Sequence, residues 1–187
     1  MKNFLSKGFA LLTLSILLAS CVPSNIPSGA RAVTINGATA YVFEATGSGL
    51  LPDIRINWGA KRIEGEALNR ARAADLRDAP FTCPEAEAFA WFRSLGANEP
   101  GIVMPDFKLQ LESRGYRVSE QSARQSGASS FQYQVVSRGQ QMFFLTWIWS
   151  PTTNPSQVSL DVCKVQMKPG APPLKLTWQP RSSGTLQ

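Results

Sequence analysis

The stretch that most constrains the fold is QMFFLTWIW, residues 141–149. Taken as a strand, it sends Phe143, Leu145, Trp147 and Trp149 to one side and Met142, Phe144, Thr146 and Ile148 to the other. Apolar side chains on both sides predict a central strand in a sheet covered on both faces. If only one face were covered, the other would carry an aromatic patch that soluble proteins rarely expose without a partner or ligand.

The flanking sequence supplies neighbours for this strand. Phe131, Tyr133 and Val135 alternate ahead of a turn over residues 137–140. Val158, Leu160 and Val162 alternate after a turn over residues 151–155, which completes an antiparallel meander. Upstream, Asn36 and Gly37 divide AVTINGATAYVFE (residues 32–44) into two strand-forming halves, and both residues accept the positive φ of a tight hairpin turn. Ile54, Ile56 and Trp58 alternate with Arg55 and Asn57, the period of a half-buried strand with Trp58 directed inward. Gly47 and Gly49 do not make a phosphate loop, because Pro52 falls at the third glycine position and no lysine follows.

Three segments read as helices. Residues 64–76 are rich in Ala, Leu and Arg, with Leu68, Ala71 and Leu76 as the inward positions. Residues 84–96 carry Pro84 at the first helical position, Glu85 and Glu87 near the positive end of the dipole and Gly96 as a left-handed cap. Phe89, Phe92 and Leu95 would then share one face. On that helix Glu85 and Glu87 point about 200° apart and form no acid–base pair. Residues 104–115 alternate like a strand at Phe107, Leu109 and Leu111, but Pro105 and Gly115 bracket them as a helix. A short strand over residues 116–119 and a polar loop over residues 120–130 follow. The predicted architecture is one α+β domain over residues 32–168, an antiparallel sheet (hairpin plus C-terminal meander) with two or three helices packed on it. Residues 169–187 form a Pro/Ser-rich tail in which Leu174, Leu176 and Trp178 could add an edge strand.

The first 21 residues are of another kind. Lys2 and Lys7 accompany an apolar run over residues 8–18, too short for the roughly 20 residues of a membrane span but suited to the core of a signal peptide. The run closes on Leu18, Ala19, Ser20 and Cys21, which resembles the lipobox of bacterial lipoprotein precursors. The resemblance implies that the Cys21 thiol receives a diacylglyceryl group, that the leader is removed before it, and that two or three acyl chains then hold the protein stably at a membrane. Ordinary signal-peptidase cleavage after Ser20 would place Leu18 where a small residue is needed. Val22 in place of aspartate implies, in a two-membrane cell, the outer membrane with the domain facing the periplasm. Residues 22–31, VPSNIPSGAR, read as a tether reaching roughly 30 Å at full stretch and about 18 Å as a flexible coil.

Export leaves two cysteines in a disulfide-permissive compartment. If they pair, Cys83 joins Cys163, for which the chain-entropy model gives roughly 4 kcal/mol. The alternatives are a reactive Cys83 activated at a helix start, or two buried free thiols.

The chain has no histidine. This removes Ser-His-Asp and Cys-His catalysis, His-ligated zinc and the commonest general base near neutral pH. GxSxG, SxxK, CxxC and calcium-loop motifs are missing as well, so no catalytic residue, metal ligand or cofactor is assigned. A carboxylate-only hydrolase of envelope glycans survives as an alternative, requiring two carboxylates roughly 5–9.5 Å apart in a deep cleft. A carrier of a small apolar ligand, with a cavity beside Phe143 and Trp147, is a second alternative. The formal charge of +6 loses two with Lys2 and Lys7; bases and acids interleave over residues 53–78, and the excess, mainly after residue 100, forms no block of like charges, which argues against nucleic acid. The leading expectation is a non-enzymatic, lipid-anchored envelope module whose partner is a membrane-proximal protein or polymer. Recognition would fall to exposed members of the set Trp58, Tyr133, Trp147, Trp149 and Trp178 with Arg55, Lys61 or Arg62, because interfaces favour Trp, Tyr and Arg.

Overall fold

The computed structural model describes residues 26–35, 38–92, 99–119, 122–150 and 157–174. Its centre is a nine-stranded sheet, every adjacent pair antiparallel. The strands are β1 (Arg31–Ile35), β2 (Ala38–Glu44), β3 (Lys61–Glu64), β4 (Phe81–Phe92), β5 (Arg117–Val118), β6 (Ser122–Ser126), β7 (Ser129–Arg138), β8 (Gln141–Ser150) and β9 (Gln157–Met167). Two helices, α1 (Glu66–Asp75) and α2 (Glu99–Ser113), complete the elements among the described residues. The order across the sheet is β1-β2-β3-β4-β9-β8-β7, with β5 and β6 sharing the outer edge of β7. No helix among the described residues is long and apolar enough to cross a membrane.

The sheet-dominated, antiparallel character agrees with the sequence reading, but the protein is richer in strand than the expected α+β domain. The hairpin forms in the expected register, Ile35 opposite Ala38, with its Asn36 and Gly37 turn outside the described residues. The meander β7-β8-β9 forms too, and its turn at residues 151–155 likewise lies outside them. As QMFFLTWIW requires, β8 is covered on both faces. Phe143, Leu145 and Trp147 pack with Phe89 and Trp91 of β4 under Val103, Phe107 and Leu111 of α2 and under Leu51, Ile54 and Ile56. On the other face Phe144 packs with Phe81, Tyr133 and Cys163. The Trp147 ring stacks on Trp91 at 5.9 Å and meets the edge of Phe107 at 5.4 Å, while its Nε1–H donates to the buried Gln134 at 3.2 Å. Each large side chain so enclosed contributes about 1.5–3 kcal/mol relative to exposure.

Three expectations are corrected. Residues 84–92 are strand, not helix. Ala86, Ala88 and Ala90 alternate with Glu87, Phe89 and Trp91, and pairing with β9 over the length of β4 overrides the helix propensity of Ala and Glu. Gly96 lies outside the described residues. Residues 54–58 make only an isolated bridge, Gly47 to Arg55, rather than a strand. Ile54 and Ile56 are buried as their alternation implies, but the backbone of Arg55 is paired by a side chain, Gln110 of α2, which accepts from its N–H at 2.9 Å and donates to its C=O at 3.3 Å. The polar run after residue 120 contains β6, whose ladder to β7 needs no apolar side chains and left no hydrophobic period to read. The other helices form where expected, although α2 begins before Pro105 and so contains it. Gly115, at φ 78°, caps α2.

Candidate functional site

The sequence-selected aromatic and basic residues do not converge. Tyr133 and Trp147 are each only 2 % exposed, on opposite faces of the sheet, and so drop out of a set defined by exposure. Trp149 is half-buried against the Trp147 side. Arg62 lies over the Phe43 ring at 5.2 Å and pairs with Glu64 at 2.9 Å, while Lys61 pairs with Glu44. Trp178 lies outside the described residues. Among the described residues of the set, Trp58, 46 % exposed, and Arg55 are the ones classed as exposed, which corrects the expectation that Trp58 points inward.

Trp58 is held there against a local preference. Its φ is 65°, a left-handed conformation that costs a non-glycine residue roughly 1–2 kcal/mol. The segment before it is pinned from three sides. Trp91 Nε1–H donates to the Asn57 carbonyl at 2.8 Å, Asn57 Nδ2 donates to Asp106 at 3.2 Å, and Gln110 brackets Arg55. Gln110 Nε2 also donates to Asp106 at 3.0 Å, so α2 presents one connected polar edge to the loop. An exposed aromatic on a rigid, strained turn can contact a partner with little further ordering cost.

A hollow of about 840 Å³ lies elsewhere. It runs beside the first half of β4, between α1 (Asn69, Arg72, Ala73) with its capping Leu76 and the turn carrying Gly49 and Leu50, with Lys168 at one end. Its origin is local. β3 pairs with β4 only over Ala88–Ala90, and Gly65 then turns the chain off the sheet into α1. Gly65 has φ 137°, and a Cβ there would sit 2.8 Å from the Thr39 carbonyl and 2.9 Å from Ala40 Cα, so only glycine fits. Across the hollow, Glu87 fixes the opposite wall by accepting from Ser48 Oγ at 2.5 Å, Gly49 N at 2.7 Å and Leu50 N at 3.3 Å. A Cβ on Gly49 would meet Glu87 Oε1 at 2.9 Å. Thus the two residues expected to start a helix instead share one strand face: Glu85 pairs with Lys164, and Glu87 holds a loop. The Cys83–Cys163 disulfide forms beside them, cross-linking β4 to β9 at a register shift between Thr82 and Glu85. Cys83 therefore does not start a helix.

A second carboxylate pair, Asp75 at the end of α1 and Asp161 of β9, lines another space. Asp161 accepts from Arg72 Nε at 2.9 Å and from its terminal nitrogen at 2.5 Å. Burial, opposed by Arg124 and reinforced by Asp161, raises the pKa of Asp75. Burial likewise raises that of Tyr133. The space enclosed there is about 80 Å³, room for a few waters and not for a sugar ring. Beside Phe143 the hollow is about 250 Å³ and lined by charged and polar Glu85, Arg138, Gln141 and Lys164 as well as by Leu50 and Pro52.

Compared with known proteins, the chain matches no protein-family model, none of the curated proteins and no solved structure.

Proposed function

We propose that the protein is a non-enzymatic, lipid-anchored binding or assembly-supporting module of the bacterial cell envelope, tethered through Cys21 and residues 22–31. In a two-membrane cell it sits on the outer membrane and faces the periplasm. The observation that carries the binding reading is the presentation of Trp58, three positions after the exposed Arg55, on a pinned left-handed turn that leaves its ring surface open to a partner. The carboxylate-hydrolase alternative gains no support, because Glu85 and Glu87 are committed to Lys164 and to the Ser48–Leu50 turn, and the Asp75–Asp161 space is too small. The apolar-carrier alternative gains none either, because Trp147 is enclosed by Trp91 and Phe107.

The test uses the full chain in a bacterial host with a photo-crosslinking residue at an exposed position near Arg55. Trp58→Ala and Arg55→Ala are expected to abolish the crosslinked partner while the disulfide and the melting transition persist. Unchanged crosslinking in both variants would remove Trp58 from the proposal. Separately, Cys21→Ala is expected to move the protein from the membrane fraction to the soluble fraction; equal membrane retention would sink the lipid anchor.

A further inference from the structure

The hollow beside β4 has a property that its size alone does not convey. Every residue from Phe81 to Glu87 lines it. Consecutive residues of a strand point alternately to opposite faces, so a cavity over one face touches every second residue. The register shift between Thr82 and Glu85 disturbs that alternation at Cys83 and Pro84, but a cavity that touches all seven and is walled by Leu50 from one face of the sheet and Leu76 from the other runs along the edge of the strand. No strand among the described residues pairs with that edge between Thr82 and Glu87, because Gly65 has diverted the chain after β3. The six residues span about 17–20 Å, and the outward N–H and C=O groups among them, without an N–H at Pro84, face a groove walled by Ala73 of α1 and Leu76 just past its end on one side and by Gly49 and Leu50 on the other.

An unpaired strand edge is a template for another strand. The neighbouring position is already defined by β3, which meets β4 antiparallel at Ala88–Ala90 and stops. A segment continuing that row antiparallel to β4 would have its carboxyl end beside Phe81. At that end stands Lys168, whose backbone N–H is bonded to Pro80 and whose ammonium takes part in none of the ion pairs among the described residues. The other charges of the groove are neutralised internally or engaged: Arg72 by Asp161, Glu85 by Lys164, and Glu87 by the Ser48–Leu50 turn.

We propose that this groove receives an extended peptide segment of a partner protein, added antiparallel to β4 along residues 82–87, with its carboxylate or an acidic side chain at Lys168. The inference rests on the binding-module reading and names the chemistry of the partner. Backbone hydrogen bonds supply the affinity, and the carboxylate at Lys168 sets the direction.

The probe is an array of hexapeptides with β-branched residues at alternate positions and varied residues between, each as free acid and as C-terminal amide. It is applied to the full chain with its disulfide intact. The expected result is a set of free-acid binders that slow hydrogen exchange of amides within residues 82–87. Binding falls at least tenfold on N-methylation of alternate peptide bonds, and Lys168→Glu removes the preference for acid over amide. Three results would each overturn the proposal. The first is no binder in the array. The second is undiminished binding of the N-methylated peptides, which would mean side-chain capture. The third is exchange in residues 82–87 already slow in the free protein and released by deleting residues 175–187, which would mean that the chain fills its own groove. None of these readouts depends on Cys21 or Trp58, so hexapeptide binding by a chain that is not acylated would leave the groove standing and remove only its proposed setting.

Discussion

Replacing Glu87 by alanine tests how the groove wall is held. The carboxylate accepts three hydrogen bonds from one turn, from Ser48 Oγ, Gly49 N and Leu50 N. Hydrogen bonds to a charged group contribute about 1.5–3 kcal/mol each when shielded. Only the Ser48 contact comes from a buried residue, and Gly49 is exposed enough for water to replace its bond. The turn also keeps an anchor independent of Glu87, since Leu51 N donates to Ser48 Oγ at 2.9 Å and the Leu51 side chain is fully buried. The expected loss is therefore about 2–4 kcal/mol rather than the full sum. For a chain of this length that is a fall in Tm of roughly 5–15 °C. Urea melts at pH 7 on the disulfide-intact protein read it directly. A double-mutant cycle with Ser48→Ala isolates the contact, with an expected coupling of about 1–2 kcal/mol. A loss below about 1 kcal/mol, or strict additivity with Ser48→Ala, would refute the argument and leave the turn held by Leu51 and its neighbours alone.

Gly65→Ala is expected to cost about 2–4 kcal/mol, because the new Cβ meets the β2 backbone at Thr39 and Ala40 and φ is unfavourable; a melt within 0.5 kcal/mol of the parent, an order-of-magnitude limit, would show that β2 yields freely. The Cys83→Ser, Cys163→Ser double variant loses a cross-link spanning 80 positions, expected to lower stability by about 4 kcal/mol; no change in the urea midpoint would mean that the reduced chain keeps an equivalent constraint. Asp75 gives a pH signature. Its pKa is raised chiefly by burial, so the folded state holds its proton more tightly than the unfolded chain does, and stability falls as pH rises from the ordinary value of 3.8 through the raised one. Asp75→Asn is expected to stabilise the protein at neutral pH and to flatten that part of the curve; a variant less stable than the parent at pH 7 would mean that attraction to Arg124 outweighs desolvation.

Much of the core was legible because burial follows local alternation. Residues 141–149 required cover on both faces, and both faces are covered. Ile54 and Ile56 were read as inward and are inward, although no strand carries them. What failed was the inference from composition to backbone. EAEAFAWF has the propensity of a helix and the period of a strand, and Pro84 with two glutamates imitates a helix start. Pairing partners decide between these readings, and the partner of β4 is β9, more than sixty residues later, so no local window contains the answer. β6 failed differently, since a polar edge strand is stabilised by backbone bonds that have no signature in side-chain hydropathy.

The site was less legible than the core for a related reason. Exposure of Trp58 depends on a side chain that reaches its loop from α2. Gln110 supplies the backbone partner that a neighbouring strand would otherwise supply, and this turns an apparent strand into a presented turn. The groove depends on one glycine that stops a strand early. Nothing in RIEGEAL distinguishes a glycine tolerated at a helix start from one required by the Thr39 carbonyl 2.8 Å away, because Thr39 is 26 positions upstream. Both features arise from a mismatch between elements: a side chain pairs where a strand is absent at Arg55, and nothing among the described strands pairs where a strand ends at Glu64. The first mismatch is satisfied within the chain, and the second leaves backbone groups beside a cavity, so the two are expected to differ in the presence of a partner. Hydrogen exchange at residues 54–56 should be slow in the free protein and unaffected by hexapeptides, whereas exchange within residues 82–87 should respond to them. A response of both segments together would mean that the turn carrying Gly49 and Leu50 transmits occupation of the groove to the Trp58 loop, and the two surfaces would then have to be treated as one site.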